Sequence, residues 1–452
     1  MGTLAHEVAQ RALALRFDDL SPQTVHEAKR RILDSLGTAL GAWNSRPGRV
    51  TRDAAAAART AQGASILGSR QRTLPELAAF ANGTLVRYLD FNDTYLSKEP
   101  AHPSDNIPAA WAVGQVAGAE PREIITAIVL GYELQCRLCD AASLRAHGWD
   151  HVCYGAFSTA LLASRLWGLS VEQTAHALGL AGVCNFATRQ TRTGQISDWK
   201  ACAFANAARN GVFAANLARL GMTGPHEIFE GPCGLRMVTG PFDLSWSRGP
   251  DDWMIRRTHI KRWPAEYHSQ SAIDAALQLR PRIGDMREIE SIRIESFEAA
   301  VSIIGSEPEK WRPTSRETAD HSMAYCVVMA LRDGDVTAES FAESNYRDPA
   351  VLAWLDRISI VETAECNAGY PDGIPNRLIV KLRDGRTLEQ FVTYPRGHAR
   401  NPMTDQEVIA KFRGLARGVV SDDVAANLVS RALHYDELPD TAELLEFDVL
   451  GG

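Results

Sequence analysis

The stretch from Leu89 to Asn106 concentrates side chains suited to proton chemistry: Asp90, Asn92, Asp93, Thr94 and Tyr95, then His102, Ser104, Asp105 and Asn106. Apolar helical patterns flank it at 74–89 and 107–119, the way a rigid scaffold holds a chemically active loop. An imidazole titrates near neutral pH, so His102 reads as a proton shuttle, with Asp90 able to orient it or tune its charge. The bland alternative is that Asp90 and Asp93 end a helix and His102 occupies a turn. If the helix ending near Leu89 runs on for one more turn, Asp90 and Thr94 share a face. Ser104-Asp105-Asn106 also reads as the cap of the next helix, which makes Asp105 structural.

Cationic candidates lie further along. Lys200, in Asp198-Trp199-Lys200, opens an Ala-rich run that is otherwise uncharged to Ala208. Such a lysine either snorkels or faces an anion. Lys261, in Ile260-Lys261-Arg262-Trp263-Pro264, fits the same role, and Arg262 beside it is a second cation or a surface charge. Arg189 and Arg192 can clamp a carboxylate through the bidentate guanidinium, or lie solvated in their polar loop. His151, in Trp149-Asp150-His151, is a site imidazole or a partly exposed residue at a helix start. Tyr325, after His321-Ser322, can offer a phenol hydroxyl.

The elements that must position these residues are mostly helical. Residues 4–70 read as helices, with Ser21-Pro22 marking a start and Val25, Ala28, Ile32, Leu33, Leu36, Ala39 and Leu40 following at helical spacing. Gly37 and Gly41 would each weaken that helix in isolation by about 1 kcal/mol, which points to close helix–helix contact. Ala-rich patterns continue at 74–89, 107–118, 121–145, 155–168, 171–184 and 201–220, and Ser170 with Gln173 predicts a capping box. No period-2 segment precedes about residue 240, so this half is expected to be all helical.

After Pro264 the pattern changes. Residues 289–296 and 357–361 alternate as half-buried strands do, and 378–382 and 387–393 flank Asp384-Gly385, a hairpin signal. Helical patterns at 268–280, 322–333 and 337–344 alternate with these strands, and helix returns at 405–433. The fold class is therefore mainly α with a smaller α+β domain. The expected division is a helical domain over 1–265, an α+β lid domain over 266–400, and C-terminal helices over 401–452 that return to the helical domain.

Leu89-Asp-Phe-Asn-Asp-Thr-Tyr-Leu96 with His102-Pro-Ser-Asp-Asn106 resembles the signature of the MmgE/PrpD family, to which 2-methylcitrate dehydratases belong. Further stretches agree in order: Ile32–Gly37, Trp149–Gly155, Trp199–Gly211, Ile260–Pro264, Glu317–Ser322, and Tyr394–Gly397 with Asn401-Pro-Met403. The resemblance spans nearly the whole chain. It implies a helical domain and an α+β lid with the site between them, a homodimer, and no cofactor. Positions matching Asp90, Thr94 and His102 lie in the family pocket, as do positions matching His151, Lys200 and Lys261.

Family members include metal-independent hydro-lyases acting on 2-methylcitrate, cis-aconitate decarboxylases, and an epimerase of an amino-dicarboxylate relative. The expected activity is dehydration of 2-methylcitrate, or a close hydroxy tricarboxylate, to 2-methyl-cis-aconitate in propionate catabolism. The alternative is cis-aconitate decarboxylation or epimerisation of a related dicarboxylate. Glu266 stands where some family decarboxylases carry a pocket histidine, and Asn92-Asp93 and Asp105-Asn106 look more like the dehydratases. The catalytic candidates are Asp90, His102, His151, Lys200, Lys261 and Tyr325. The substrate-binding candidates are Thr94, Ser104, Arg189, Arg192, Arg262 and Glu266.

A net charge of -7 leaves no broad electrostatic footprint for nucleic acid. No uninterrupted apolar run is long enough to span a membrane. The first residues lack the basic and apolar regions of a secretory signal, and eight scattered Cys read as reduced thiols in a cytoplasm. Cys136-x-x-Cys139 lies in an apolar helical pattern without a second pair, which suits core packing. No cysteine run suits an iron–sulfur cluster, and no dinucleotide or phosphate-loop motif occurs. No metal and no membrane are expected, and the partner is a small polycarboxylate substrate.

Overall fold

The computed structural model describes residues 2–185, 187–194 and 196–450. The chain divides into two compact units, one made of 1–194, 198–258 and 404–452, the other of 195–197 and 259–403.

The first unit is built from helices whose starts are written locally. They include α1 (Leu4–Ala14), α2 (Pro22–Gly41), α3 (Arg46–Ala56), α4 (Pro75–Tyr88), α5 (Ile107–Ala117), α6 (Pro121–Ala141), α7 (Cys153–Leu166), α8 (Val171–Cys184) and α9 (Trp199–Arg219). Ser21 caps α2 by accepting from the Thr24 N–H, and Pro22 follows at the first helical position. Ser170 and Gln173 form the reciprocal capping box of α8. The periodic apolar residues of α2, among them Ile32, Leu33, Leu36 and Leu40, are fully buried.

Small residues let the helices meet backbone to backbone. The helix Asp405–Ala416 crosses α2 so closely that a Cβ on Gly37 would stand 3.2 Å from the Phe412 Cα. α4, α7 and α8 pack round α9, and a Cβ on Gly83 of α4 would stand 3.1 Å from the Ala205 Cβ of α9.

One expectation for this half fails. β1 (Arg59–Ser65) and β2 (Arg72–Thr73) form a small antiparallel sheet, so the unit is not purely helical. The pairing breaks register between Arg59 and Ala64, and the burial of β1 does not alternate. A strand this irregular leaves no period of two to read. The Thr73 hydroxyl ties it to α3 by donating to the Ala55 carbonyl at 2.7 Å.

The second unit holds a four-stranded sheet in the order β4-β3-β5-β6: β3 (Ile289–Ser296), β4 (Ile358–Glu362), β5 (Asn376–Leu382) and β6 (Thr387–Val392). β3 and β4 are parallel, with Ile292 opposite Ile358; the other pairs are antiparallel. Ile289, Ile292 and Ile294 of β3 and Leu378, Val380 and Leu382 of β5 are buried, and the helix Gln270–Ile283 packs on β5 and β6, with Met323–Asp333 packed against that helix. Asp384-Gly385 makes the β5–β6 turn, with Gly385 at φ 89, where a glycine costs least. The helical pattern at 337–344 resolves into two short turns, Ala338–Phe341 and Glu343–Tyr346. Among the described residues no helix is long and apolar enough to cross a membrane.

Gly37→Leu tests the α2 contact. A leucine improves helix propensity by roughly 1 kcal/mol, yet it must push the crossing helix away, which costs about 1–3 kcal/mol. A lower urea midpoint than wild type is expected; a raised midpoint would show that the close approach is not required.

Candidate active site

α4 stops at Tyr88, and Asp90 turns to φ 51, the sole non-glycine positive φ among the described residues. The helix therefore does not continue, and the shared face of Asp90 and Thr94 does not form. Aspartate is one of the few side chains that tolerate this left-handed region, and such strain gathers at functional sites.

The turn aims the Asp90 carboxylate inward, where it is 2% exposed. Arg87, one turn back on α4, donates to Asp90 Oδ1 at 2.6 Å. Lys200, at the start of α9, donates to Asp90 Oδ2 at 3.2 Å. The second guanidinium nitrogen of Arg87 lies 3.1 Å from His102 Nε2. Since a guanidinium only donates, His102 Nε2 is the acceptor. His102 Nδ1 then carries the proton and donates to the Asp93 carbonyl at 2.8 Å. His102 is held as one neutral tautomer with a basic nitrogen facing Arg87.

The loop that carries His102 is pinned on several sides. Asp93 accepts from the Ser104 N–H at 2.9 Å and from the Tyr132 hydroxyl of α6 at 2.8 Å. Tyr95 and Ala101 pair through backbone bonds, and the Thr94 hydroxyl donates to the Ala101 carbonyl at 3.2 Å. Glu99 accepts from the Ser143 hydroxyl and the Leu144 N–H beyond the end of α6. Lys411 pairs with Asp34 at 2.6 Å and donates to the Phe91 carbonyl at 2.7 Å.

Residues 104–106 are not a side-chain cap. They form a short 3-10 turn, Pro103–Asn106, that runs into α5, and Asn106 makes no capping bond. Its amide donates to the Pro103 carbonyl and to Gln135. Asn92 donates to the Ser104 hydroxyl at 2.9 Å and to Asp105 Oδ1 at 2.8 Å. Asp105 is 2% exposed, and its Oδ2 has no hydrogen-bond partner among the described residues. Burial, with the nearby Asp93 charge, pushes its carboxyl up to about 7 against the pull of Arg87.

His151 joins the same cluster, with its ring edge-to-face to His102 at a centroid distance of 5.8 Å. Burial first, then the Arg192 charge, pulls its pKa down to about 3, so it is neutral at ordinary pH. Its Nδ1 has no hydrogen-bond partner among the described residues. Arg192 Nε lies 2.9 Å from Asp150 Oδ2. Burial alone would raise the Asp150 carboxyl, but Arg192 together with His151 and the Val152 N–H outweighs it and the net shift is downward. Arg189 is half-buried on the same 3-10 turn. The segment is positioned by backbone bonds from Asp150 to the Ala187 carbonyl and from Arg189 to the Gly148 carbonyl.

Lys261, Arg262, Glu266 and Tyr325 belong to the second unit. Lys261 is 1% exposed, and Arg262 is half-buried. Burial would raise the Glu266 carboxyl, yet His268, whose Nδ1 lies 3.0 Å away, with His321 and Lys261, brings it down to about 2. Tyr325, expected to offer its hydroxyl, donates it to the Ser340 carbonyl at 2.6 Å from a fully buried position. The hydroxyl is committed to the unit's own core, and burial holds its proton firmly.

The structure thus brings together Asp90, His102, His151, Lys200 and Arg192 in the first unit. Sequence reasoning missed Arg87 and the unusual state of Asp105. Arg87 carried a readable signal: a lone cation in an apolar helical pattern, three residues before an aspartate. That is the reasoning that singled out Lys200. Asp105 carried none, because its shift arises from burial.

Residues 6–246 match the family model described as MmgE/PrpD N-terminal domain, and residues 263–434 match the MmgE/PrpD C-terminal domain. The chain is 29% identical over 402 residues to a Saccharomyces cerevisiae protein named probable 2-methylcitrate dehydratase, covering 82% of this chain and 77% of that one. It is 28% identical over 388 residues to the 2-methylcitrate dehydratase of Escherichia coli, covering 78% of each. A cis-aconitate decarboxylase-like protein of Aspergillus oryzae is 26% identical over 479 aligned positions, covering 98% of this chain and 97% of its own.

The state of Asp105 has a measurable consequence. Its native pKa of about 7 stands above the ordinary value, near 4. The native state therefore keeps a proton that the unfolded chain has released. The resulting stability is fully present below about pH 4 and is lost as pH rises through about 7. Asp105→Asn removes this term, so its stability relative to wild type should improve between pH 4 and pH 8 in denaturant unfolding. A constant difference across that range would refute the assignment.

Proposed function

The chain belongs to the MmgE/PrpD family, and from that premise we propose that it is a metal-independent hydro-lyase. Its substrate would be 2-methylcitrate or a close hydroxy tricarboxylate, and its product the corresponding cis-aconitate. The observation that carries the reading is the half-buried His102 with its Nε2 facing Arg87, and Asp90 held between Arg87 and Lys200. Relatives named 2-methylcitrate dehydratase supply the substrate class.

Dehydration next to a carboxylate needs a base for the C–H, an acid for the departing hydroxyl, and cations for the carboxylates. His102 Nε2 is the base. An incoming substrate carboxylate competes for Arg87 and frees that nitrogen. The C–H proton passes to His102, and the electron pair moves into an enediolate stabilised by Lys200. The C–O bond then breaks, and the hydroxyl leaves as water with a proton from the imidazole pair His102 and His151. Arg87 and Lys200 pair with Asp90, Arg192 pairs with Asp150, and Asp105 keeps its proton below about pH 7. The resemblance assigns a further carboxylate contact to Lys261, and it implies a homodimer.

The full-length similarity to the Aspergillus protein favours cis-aconitate decarboxylation as the second reading. Glu266, which is held ionised and by the resemblance stands where some family decarboxylases carry a pocket histidine, counts mildly against it.

The test is ultraviolet absorbance of the unsaturated acid with chelator-treated protein and a panel of citrate, 2-methylcitrate, isocitrate and cis-aconitate. An absorbance rise with 2-methylcitrate is expected. His102→Ala should lower kcat by roughly 10²–10⁴-fold. Lys200→Ala and Lys261→Ala should both raise KM and lower kcat. Loss of cis-aconitate absorbance with carbon dioxide release, and no change with the hydroxy acids, would move the chain to the decarboxylases.

A further inference from the structure

Away from these residues, three imidazoles converge on one carboxylate at the surface of the first unit. His6 lies in the first turn of α1, Glu172 and His176 lie one turn apart on α8, and His226 lies in the segment after α9. His6 Nε2 is 2.7 Å from Glu172 Oε2. His176 Nε2 is 3.4 Å and His226 Nδ1 is 3.9 Å from Glu172 Oε1. The His6 and His226 rings are nearly parallel at 6.2 Å, and His176 meets His226 edge-on at 4.9 Å. None of these residues takes part in the proposed reaction.

We propose that His6, Glu172 and His226 form a site for a divalent transition metal of the zinc class, with His176 positioning the carboxylate. The ligand atoms of these three residues all lie within 4.8 Å of one another. Nitrogen and oxygen ligands on a tetrahedral zinc stand about 3.3 Å apart, from bonds of about 2.0–2.1 Å. Closing that gap needs only side-chain rotation, since Glu172 and His226 are 56% and 57% exposed. Two imidazoles and a carboxylate, with water completing the shell, suit zinc, cobalt or nickel rather than magnesium or calcium.

The hydrogen bonds already set the ligand nitrogens. Thr3 Oγ1 is 2.7 Å from His6 Nδ1 and can donate its hydroxyl there, which leaves the Nε2 proton directed at Glu172. When a metal binds Nε2 the ring's single proton moves to Nδ1, where it donates to Thr3 Oγ1, so the imidazole stays neutral. His176 Nδ1 accepts from the Gly224 N–H at 3.3 Å, so its Nε2 proton faces Glu172. This is how an outer residue orients a ligating carboxylate. The site joins three chain segments, because the Leu4 N–H also donates to Glu230 at 3.0 Å. A bound metal would fasten the start of α1 to α8 and to the 224–230 segment.

The experiment is calorimetric titration of the chelator-stripped full chain with zinc chloride. One equivalent should bind, and amide exchange at the start of α1 should slow. His6→Gln and His226→Gln should each weaken binding more than about tenfold, and His176→Gln by roughly 10–100-fold. Both ligand histidines are at least partly exposed, so the variants should fold, which circular dichroism checks. The cobalt(II)-loaded protein should show no thiolate charge-transfer band. The proposal is overturned if zinc does not bind, if it binds His6→Gln and His226→Gln as tightly as wild type, or if cobalt reports cysteine ligation.

Discussion

The structure of the candidate site depends on one buried carboxylate, Asp90, shared by two cations, Arg87 and Lys200. Each of the three charges has been taken out of water, and none is tolerable there alone. Removing one partner of such a cluster costs about 3–5 kcal/mol, because an uncompensated charge remains buried. The left-handed turn at Asp90 is accepted because it delivers the carboxylate to that position. Arg87 then has a donor left for His102, and this fixes which imidazole nitrogen is basic. Protonation state, backbone strain and helix termination are thus consequences of one ion cluster.

The scaffold supplies the precision. Lys200 meets Asp90 because α4 and α9 lie in contact through small residues, Gly83 against Ala205. The loop from Phe91 to His102 buries Phe91, Tyr95 and Ala101, and polar pins hold the rest. Asp93 is tied to Tyr132 and Ser104, Glu99 to residues beyond α6, and Phe91 to Lys411. Reactive groups held this way lose little freedom when a substrate arrives.

The second unit follows another logic. Its sheet buries one set of residues against covering helices, and polar side chains can serve that fold. Tyr325 illustrates this, since its hydroxyl closes a bond to Ser340 within the core. Glu266, surrounded by His268, His321 and Lys261, stays ionised in a largely buried setting.

What the sequence determined by itself was local. Helix starts at Ser21 and Ser170 were legible because a cap and its partner lie within three residues. The β5–β6 hairpin was legible from Asp384-Gly385 and a period of two. Asp90, His102 and Lys200 stood out because polar residues interrupt apolar patterns at these positions. The tertiary structure decided what depends on distant neighbours. It set the partners of Asp90, the tautomer of His102, the retained proton on Asp105 and the depressed basicity of His151, all of which follow from burial and from charges brought in by other segments. It also placed the Tyr325 hydroxyl on the Ser340 carbonyl, and it added β1 and β2, whose irregular pairing has no local signature. A side chain's type is local; its charge state belongs to its surroundings.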